Sequence, residues 1–412
     1  YGPNLDRFSE DIHDPLMAQV LALDDGHQRI LLASLDVIGV SEAFVCDVRA
    51  SIEQRTGIPA ANIMVAAIHS HTAPTVLQFR GWGPPDPEYG RYLGRQIAGA
   101  AGAAVRRLTP VRLAMGRTEH TALPWNRTGR AEVDPTVEVL RLERESGEPL
   151  AVLVHYACHP VILGPKVQMS ADYPGAMRRF LKEQYPGAAI MFLNGACGDI
   201  DPVTNKTVWG QGSFEDVEHA GRALGEAVMA VSWSSAPASE TRLRVAQQTV
   251  SLDLNAPTPD FVSEQIHTLR AKLQASSPEH APFGAPSEPV EMPAFWLDYY
   301  EELAERQRMG EVPTVETAEL QAFFLSDDVV LVGIPAEVYT AEGMAIRQRS
   351  PFAHTIVVCY ANGLVGYVPP PEEYEKGSYA ALLAAAVYDR VPFQADVSVK
   401  LVNAVVDLVA HG

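Results

Sequence analysis

Short runs of Val, Ile, Leu and Ala recur along this chain between longer stretches of helical spacing, and that alternation limits the folds open to it. The runs Ile30 to Asp36, Ile63 to Ile68, Val111 to Arg117, Val137 to Leu142, Ala151 to His155, Ala189 to Leu193, Val329 to Gly333 and Thr355 to Tyr360 read as strands. Helices are predicted from Ser41 to Arg55, Glu88 to Arg107, Tyr173 to Gln184, Phe214 to Val231, Phe261 to Ala275 and Pro335 to Arg349. Pro335 suits the first turn of the last of these, which would place Glu337 in that turn. The pattern predicts an α/β fold, with mixed β-sheets substantially buried and flanked by helices.

The stretch Ser276 to Pro293, rich in Pro, Ser and Glu, reads as a surface loop or insertion. No domain boundary is expected there, because the chemistry-bearing motifs on its two sides need each other. The expectation is one domain over residues 1–412. Tyr1-Gly2-Pro3-Asn4 has the look of mid-chain sequence, so an upstream piece is expected to be missing. Cytoplasmic and secreted or periplasmic locations are equally compatible with it.

Charge removes one class of partner. With 32 Lys and Arg against 51 Asp and Glu, the formal charge is −19, and phosphate-backbone binding would be opposed electrostatically. No nucleic acid is therefore expected. No run approaches the roughly 20 apolar residues that span a bilayer, so stable membrane insertion is not expected either. The four cysteines, Cys46, Cys158, Cys197 and Cys359, lack metal-site or disulfide-scaffold spacing and read as buried free thiols.

Several strand ends carry chemistry. Ala66-Ala67-Ile68-His69-Ser70-His71-Thr72 closes an apolar run with two histidines two positions apart, which leave a strand on the same face. Neutral imidazoles so paired suit a zinc ion. Val154-His155-Tyr156-Ala157-Cys158-His159-Pro160 again runs from strand into histidine. Pro160 biases His159 toward an extended turn, making it the better ligand candidate, while His155 reads as a core residue. Leu193-Asn194-Gly195-Ala196-Cys197-Gly198-Asp199-Ile200-Asp201-Pro202 opens a strand into a glycine- and aspartate-bearing loop. Asp199 reads as a brace of that turn. Cys197 lacks the electropositive surroundings of a nucleophile. Ile334-Pro335-Ala336-Glu337 and Gly366-Tyr367-Val368 supply a carboxylate and a phenol.

Taken together, these segments resemble the neutral/alkaline non-lysosomal ceramidase family, in order and in separation. His69-Ser70-His71-Thr72 resembles the family's Thr-His-Thr-His-Ser, and Cys158-His159-Pro160 its second histidine segment. Pro335-Ala336-Glu337 is similar to Pro-Gly-Glu. Gly366-Tyr367-Val368 through Glu372-Glu373-Tyr374 is similar to Tyr-Val-Thr-Thr-x-Glu-Glu-Tyr, and Asn126-Arg127-Thr128 to Asn-Arg-Ser. Ile12-His13-Asp14-Pro15-Leu16 through Ser34-Leu35-Asp36 shares the look, so the resemblance spans nearly the whole chain.

The resemblance implies a Zn2+ ion held by His69, His159, Glu337 and Tyr367, with His71, Arg127 and Tyr379 lining the reacting centre. It also implies a ceramidase-like catalytic fold, here expected without the C-terminal β-sandwich. Where the family carries its nucleophilic serine, this chain has Asp201. The expected substrate is accordingly a small or medium-sized N-acyl compound rather than ceramide. The expected chemistry is attack by metal-activated water, with Asp201 as general base or water-orienting acceptor and with Arg127 and His71 on the oxyanion. An esterase, lactonase or glycosidase on the same scaffold, and a non-catalytic metal-binding module, stand as alternatives. Homo-oligomerisation is left open. The sequons at Asn126 and Asn205 are read as unglycosylated.

Overall fold

The computed structural model describes residues 9–164, 166–234, 242–275 and 293–412. Its framework is three sheets. A three-stranded sheet sets Ala18–Asp24 antiparallel to Arg29–Leu35, which in turn runs parallel to Ile63–Ala67. A five-stranded sheet has the order Ala189–Asn194, Pro149–Tyr156, Thr136–Glu143, Arg112–Glu119, Ser232–Ser234, with only its first pair parallel. A four-stranded sheet runs Arg244–Asp253, Val315–Phe324, Val329–Gly333, His354–Val358, with only its last pair parallel.

The parallel strands are buried on both faces, as parallel pairing demands. Alternate residues then divide between two cores. Ile30, Leu32, Met64, Leu153, Met191, Leu193, Leu331 and Ile356 fill an inner core shared by the three sheets. Leu31, Ala33, Ile63, Val65, Val152, Val154, Ile190 and Val330 belong to the larger core that the helices complete. Local signals set the helix ends. Ser41 caps Glu42–Thr56 and Gly57, at φ 74°, ends it. Asp86 caps Pro87–Arg106, with proline in the first turn. Ser213 and Asp216 form a capping box at Phe214–Met229.

The sheets are stitched at the carboxyl ends of their parallel strands. Ala67 N donates to Tyr360 O at 3.0 Å, Cys359 N to Asn194 O at 3.0 Å, and Asn362 N to Val65 O at 2.7 Å. Asn194 Nδ2 donates to Ile68 O at 3.0 Å. Loops that leave these ends are therefore gathered into one place, the usual location of a ligand site in α/β sheets.

Two expectations are corrected. The last predicted helix does not open at Pro335: it spans Thr340–Arg349, and Glu337 lies in a two-residue strand, Glu337–Val338, parallel to Tyr367–Val368. The backbone pairing outweighs the Pro signal there, since Glu337 N donates to Gly366 O at 2.9 Å and Val365 N to Pro335 O at 2.7 Å. Cys46 is exposed, on the outer face of its helix, whereas Cys158, Cys197 and Cys359 are buried; all four are free. Strands Ala18–Asp24, Arg244–Asp253 and Val315–Phe324, and helices Pro293–Met309 and Val397–His411, escape the sequence reading. The insertion expected at 276–293 falls outside the described residues except for Pro293, which opens a helix. Among the described residues no helix is long and apolar enough to cross a membrane.

Candidate metal centre

Each residue of the centre follows a parallel strand. His69 and His71 come after Ile63–Ala67, His159 after Pro149–Tyr156, Glu337 after Val329–Gly333, and Tyr360 and Tyr367 after His354–Val358. The turn at His69 is strained: its φ is 70°, and Tyr360, whose ring stacks on His69 at 4.1 Å, has φ 57°. Left-handed conformations are uncommon for side chains of this size and concentrate at ligand sites.

The contacts are specific. Glu337 Oε2 lies 3.2 Å from His159 Nε2 and 3.4 Å from His69 Nε2. His71 Nε2 stands 3.2 Å from His69 Nε2. The ligating atoms of His69, His71 and His159 fall within 4.8 Å of one another. The far nitrogens are also committed, His69 Nδ1 to Ile38 O at 2.5 Å and His159 Nδ1 to Ile200 O at 3.0 Å. A carbonyl accepts only from N–H, so both rings carry a hydrogen on Nδ1 and turn Nε2 toward Glu337. An Nε2 facing a buried carboxylate oxygen needs a cation between them, either a metal ion or its own proton. Ligands about 2.0–2.1 Å from a tetrahedral zinc ion stand roughly 3.3 Å apart, the spacing found here. These residues therefore fit a metal cation.

Charge agrees. Burial works to raise the Glu337 pKa, yet His69 and His159 outweigh it and hold the carboxyl well below its usual range. Burial holds His69 below the ordinary histidine value, and His71 well below it with the added pressure of His69 and His159. At His159 burial is outweighed by Cys197 and Glu337, which carry the ring up to about 10. In the absence of an ion His159 thus pairs with the Glu337 carboxylate as an imidazolium, and a bound cation would take the place of that proton.

Tyr388 donates to Glu337 Oε1, and Tyr360 to Oε2 at 3.4 Å. Neither tyrosine was singled out from sequence. Tyr360 closes a visible strand, whereas Tyr388 sits in an Ala-rich stretch with nothing to mark it.

A second group adjoins the first. Tyr367 is the register partner of Glu337, and its hydroxyl accepts from Arg127 Nη2 at 2.8 Å. Arg127 also donates to Asp201 Oδ1 at 3.0 Å and to Gly198 O at 2.7 Å. Asn205 Nδ2 donates to Asp201 Oδ2 at 3.1 Å. Burial opposes the Arg127 charge, but Tyr367 and Asp201 outweigh it. Tyr379, in a wide π-type turn Tyr379–Leu383, meets Tyr367 edge to face at 5.7 Å. The structure thus places all eight expected site residues in two adjoining clusters. His69, His71, His159 and Glu337 make direct contacts, and Arg127, Asp201, Tyr367 and Tyr379 stand beside them.

Of the remaining sequence candidates, Asp199 and His155 are structural, and Cys197 lies buried behind the centre. Asp199 takes Thr340 N at 2.8 Å and Asn126 Nδ2 at 2.7 Å, bracing the turn. His155 Nε2 bonds Val357 O at 2.9 Å inside the sheet. Cys197 Sγ lies 3.2 Å from Tyr360 Oη, buried. Asn126 and Asn205 are 2 % and 4 % exposed, with their amides engaged, which bars attachment of a glycan in the folded chain.

No protein-family model matches this chain, and no similar sequence is found among curated proteins. Among solved structures the fold is similar to neutral ceramidase from Pseudomonas aeruginosa, at a TM-score of 0.72 and 17 % identity over 99 % of this chain and 70 % of that one. A ceramidase complexed with C2 gives a TM-score of 0.72 and 17 % identity over 99 % of this chain and 71 % of that one. At such identity the likeness is one of fold, and the mixed α/β architecture read from the sequence is that fold.

Proposed function

We propose that this protein is a zinc-dependent hydrolase that cleaves the amide bond of a small or medium-sized N-acyl compound. The observation that carries the reading is the convergence of two imidazole Nε2 atoms on the buried Glu337 carboxylate, at 3.2 and 3.4 Å. His69, His159 and Glu337 would hold the ion, with Tyr367 beside Glu337 as the fourth ligand. When bound there, zinc supplies Lewis acidity, polarising an acyl carbonyl and lowering the pKa of water. That the ceramidases sharing this fold are named for cleaving an N-acyl bond favours an amide as the substrate.

The chain's own residues divide the remaining work. Asp201 occupies the position at which the resemblance would place a serine nucleophile. Its Oδ1 is taken by Arg127, which leaves Oδ2, held only by the Asn205 amide, to orient the attacking water or accept its proton. Tyr367 and Asp201 hold the Arg127 charge, burial keeps His71 neutral, and the two residues would donate to the developing oxyanion.

The test pairs metal analysis with turnover. The zinc-loaded chain is assayed on small panels of activated amides, esters and aryl glycosides, beside His69→Ala and Asp201→Ala. Amide turnover that falls at least about 100-fold in both variants, with Asp201→Ala still holding zinc, supports the reading. Turnover of esters or glycosides alone reassigns the bond, and stoichiometric zinc without any turnover would favour a binding module. Unchanged amide hydrolysis in both variants at matched zinc rejects the assignment.

A further inference from the structure

The loop 203–212, which follows Asp201, is fastened at both ends. Asn205 donates to Asp201, Gly210 N donates to Asn205 Oδ1 at 3.1 Å, and Gly212 N donates to Ile162 O at 2.9 Å. Gly164 and Gly210 come so close that a Cβ on Gly164 would lie 2.5 Å from Gly210 Cα. Between these fastenings sits Trp209, its ring edge-on to His71 with centroids 5.7 Å apart. The indole Nε1–H is buried and has no hydrogen-bond partner among the described residues.

A buried indole N–H ordinarily finds an acceptor, and leaving it without one costs about 1–3 kcal/mol. Fold stability gives no reason to hold such a donor rigidly against an imidazole of the centre. An incoming oxygen gives one.

We propose that Trp209 is a substrate-binding residue, whose indole N–H donates to an oxygen of the acyl compound held at the centre and whose ring forms an apolar wall beside it. The exposed side chains of Val203 and Val208 continue that apolar character outward along the loop. The inference rests on the acyl-hydrolase reading above and adds a specificity element to it: a ligand with an oxygen acceptor next to the scissile bond.

Acetohydroxamate, a zinc-binding mimic of an acyl group, serves as the probe. It is titrated calorimetrically into the full zinc-loaded chain and into Trp209→Phe, which keeps a ring and removes the N–H. In parallel the indole proton resonances of the ¹⁵N-tryptophan-labelled unmodified chain are followed, Trp209 being the one missing from the variant. The expected result is unchanged zinc content, roughly 5- to 10-fold weaker binding in the variant, and a downfield shift of the Trp209 indole proton on saturation. Affinities within twofold together with an unmoved indole resonance overturn the proposal and leave the acyl-hydrolase reading standing. If the unmodified zinc-loaded chain does not bind the hydroxamate at all, the reading itself fails and takes the Trp209 role with it. Should Trp209→Phe be unstable, Trp209→Tyr supplies the comparison.

Discussion

At the scale of single residues, the centre is defined by what stands behind each ligand atom. Ile38 O and Ile200 O set the tautomers of His69 and His159, and Tyr388 anchors the outer oxygen of Glu337. Such outer partners tune metal affinity by about 10- to 100-fold, so Tyr388→Phe should weaken zinc binding by that much in competition with a chelator, while the fold persists. A second residue-level test lies away from the centre. Asp36 is buried, pairs with Arg178 and accepts from Met17 N at 2.7 Å. Asp36→Ala would strand the Arg178 charge and should cost about 3–5 kcal/mol in urea unfolding. The histidines drew notice in the sequence because metal chemistry admits few residue types and because they close recognisable strands, whereas Glu337 and Asp201 drew it only through the family resemblance. Trp209, Tyr388 and Asn205 were not, since an indole, a phenol or an amide gains meaning only from what folding brings beside it.

At the scale of elements, the short strands apolar on both faces were the legible ones. Strands such as Ile63–Ala67 and Val329–Gly333, apolar on both faces, stood out in the sequence. Arg244–Asp253 did not: it is an edge strand with most residues at least partly exposed, and its Gln247-Gln248-Thr249 stretch carries no apolar alternation. The helix before Arg349 was placed too early, because a proline favours a first turn only when no strand competes for the same backbone groups. Its true first turn carries a titration signal. Burial, seconded by Asp199, holds Glu342 up at about 7, against an ordinary 4.5, and its Oε2 has no partner among the described residues. The folded chain thus binds that proton more tightly than the unfolded one does. The resulting stabilisation is complete below pH 4.5 and lost as pH rises through 7. Glu342→Gln should remove it, so that between pH 5 and 8 the unmodified chain loses about 1–3 kcal/mol relative to the variant in urea unfolding.

At the scale of the whole molecule, three sheets that share an inner core present their parallel carboxyl ends to one place, and the candidate ligands come from all of them. Zinc bound there would favour the folded state over the unfolded by about 4 kcal/mol at a free concentration 1,000 times its dissociation constant. Stripping the metal with EDTA should therefore lower the midpoint of thermal unfolding by several degrees, and added Zn2+ should restore it. An unchanged midpoint would mean that the ion contributes nothing to the assembled fold. The spread of ligands along the chain has a consequence for biogenesis. His69, His71 and His159 leave the ribosome well before Glu337 has been translated, and no fragment that ends short of residue 337 holds the carboxylate. The complete ligand set is then assembled late, after most of the chain has been made.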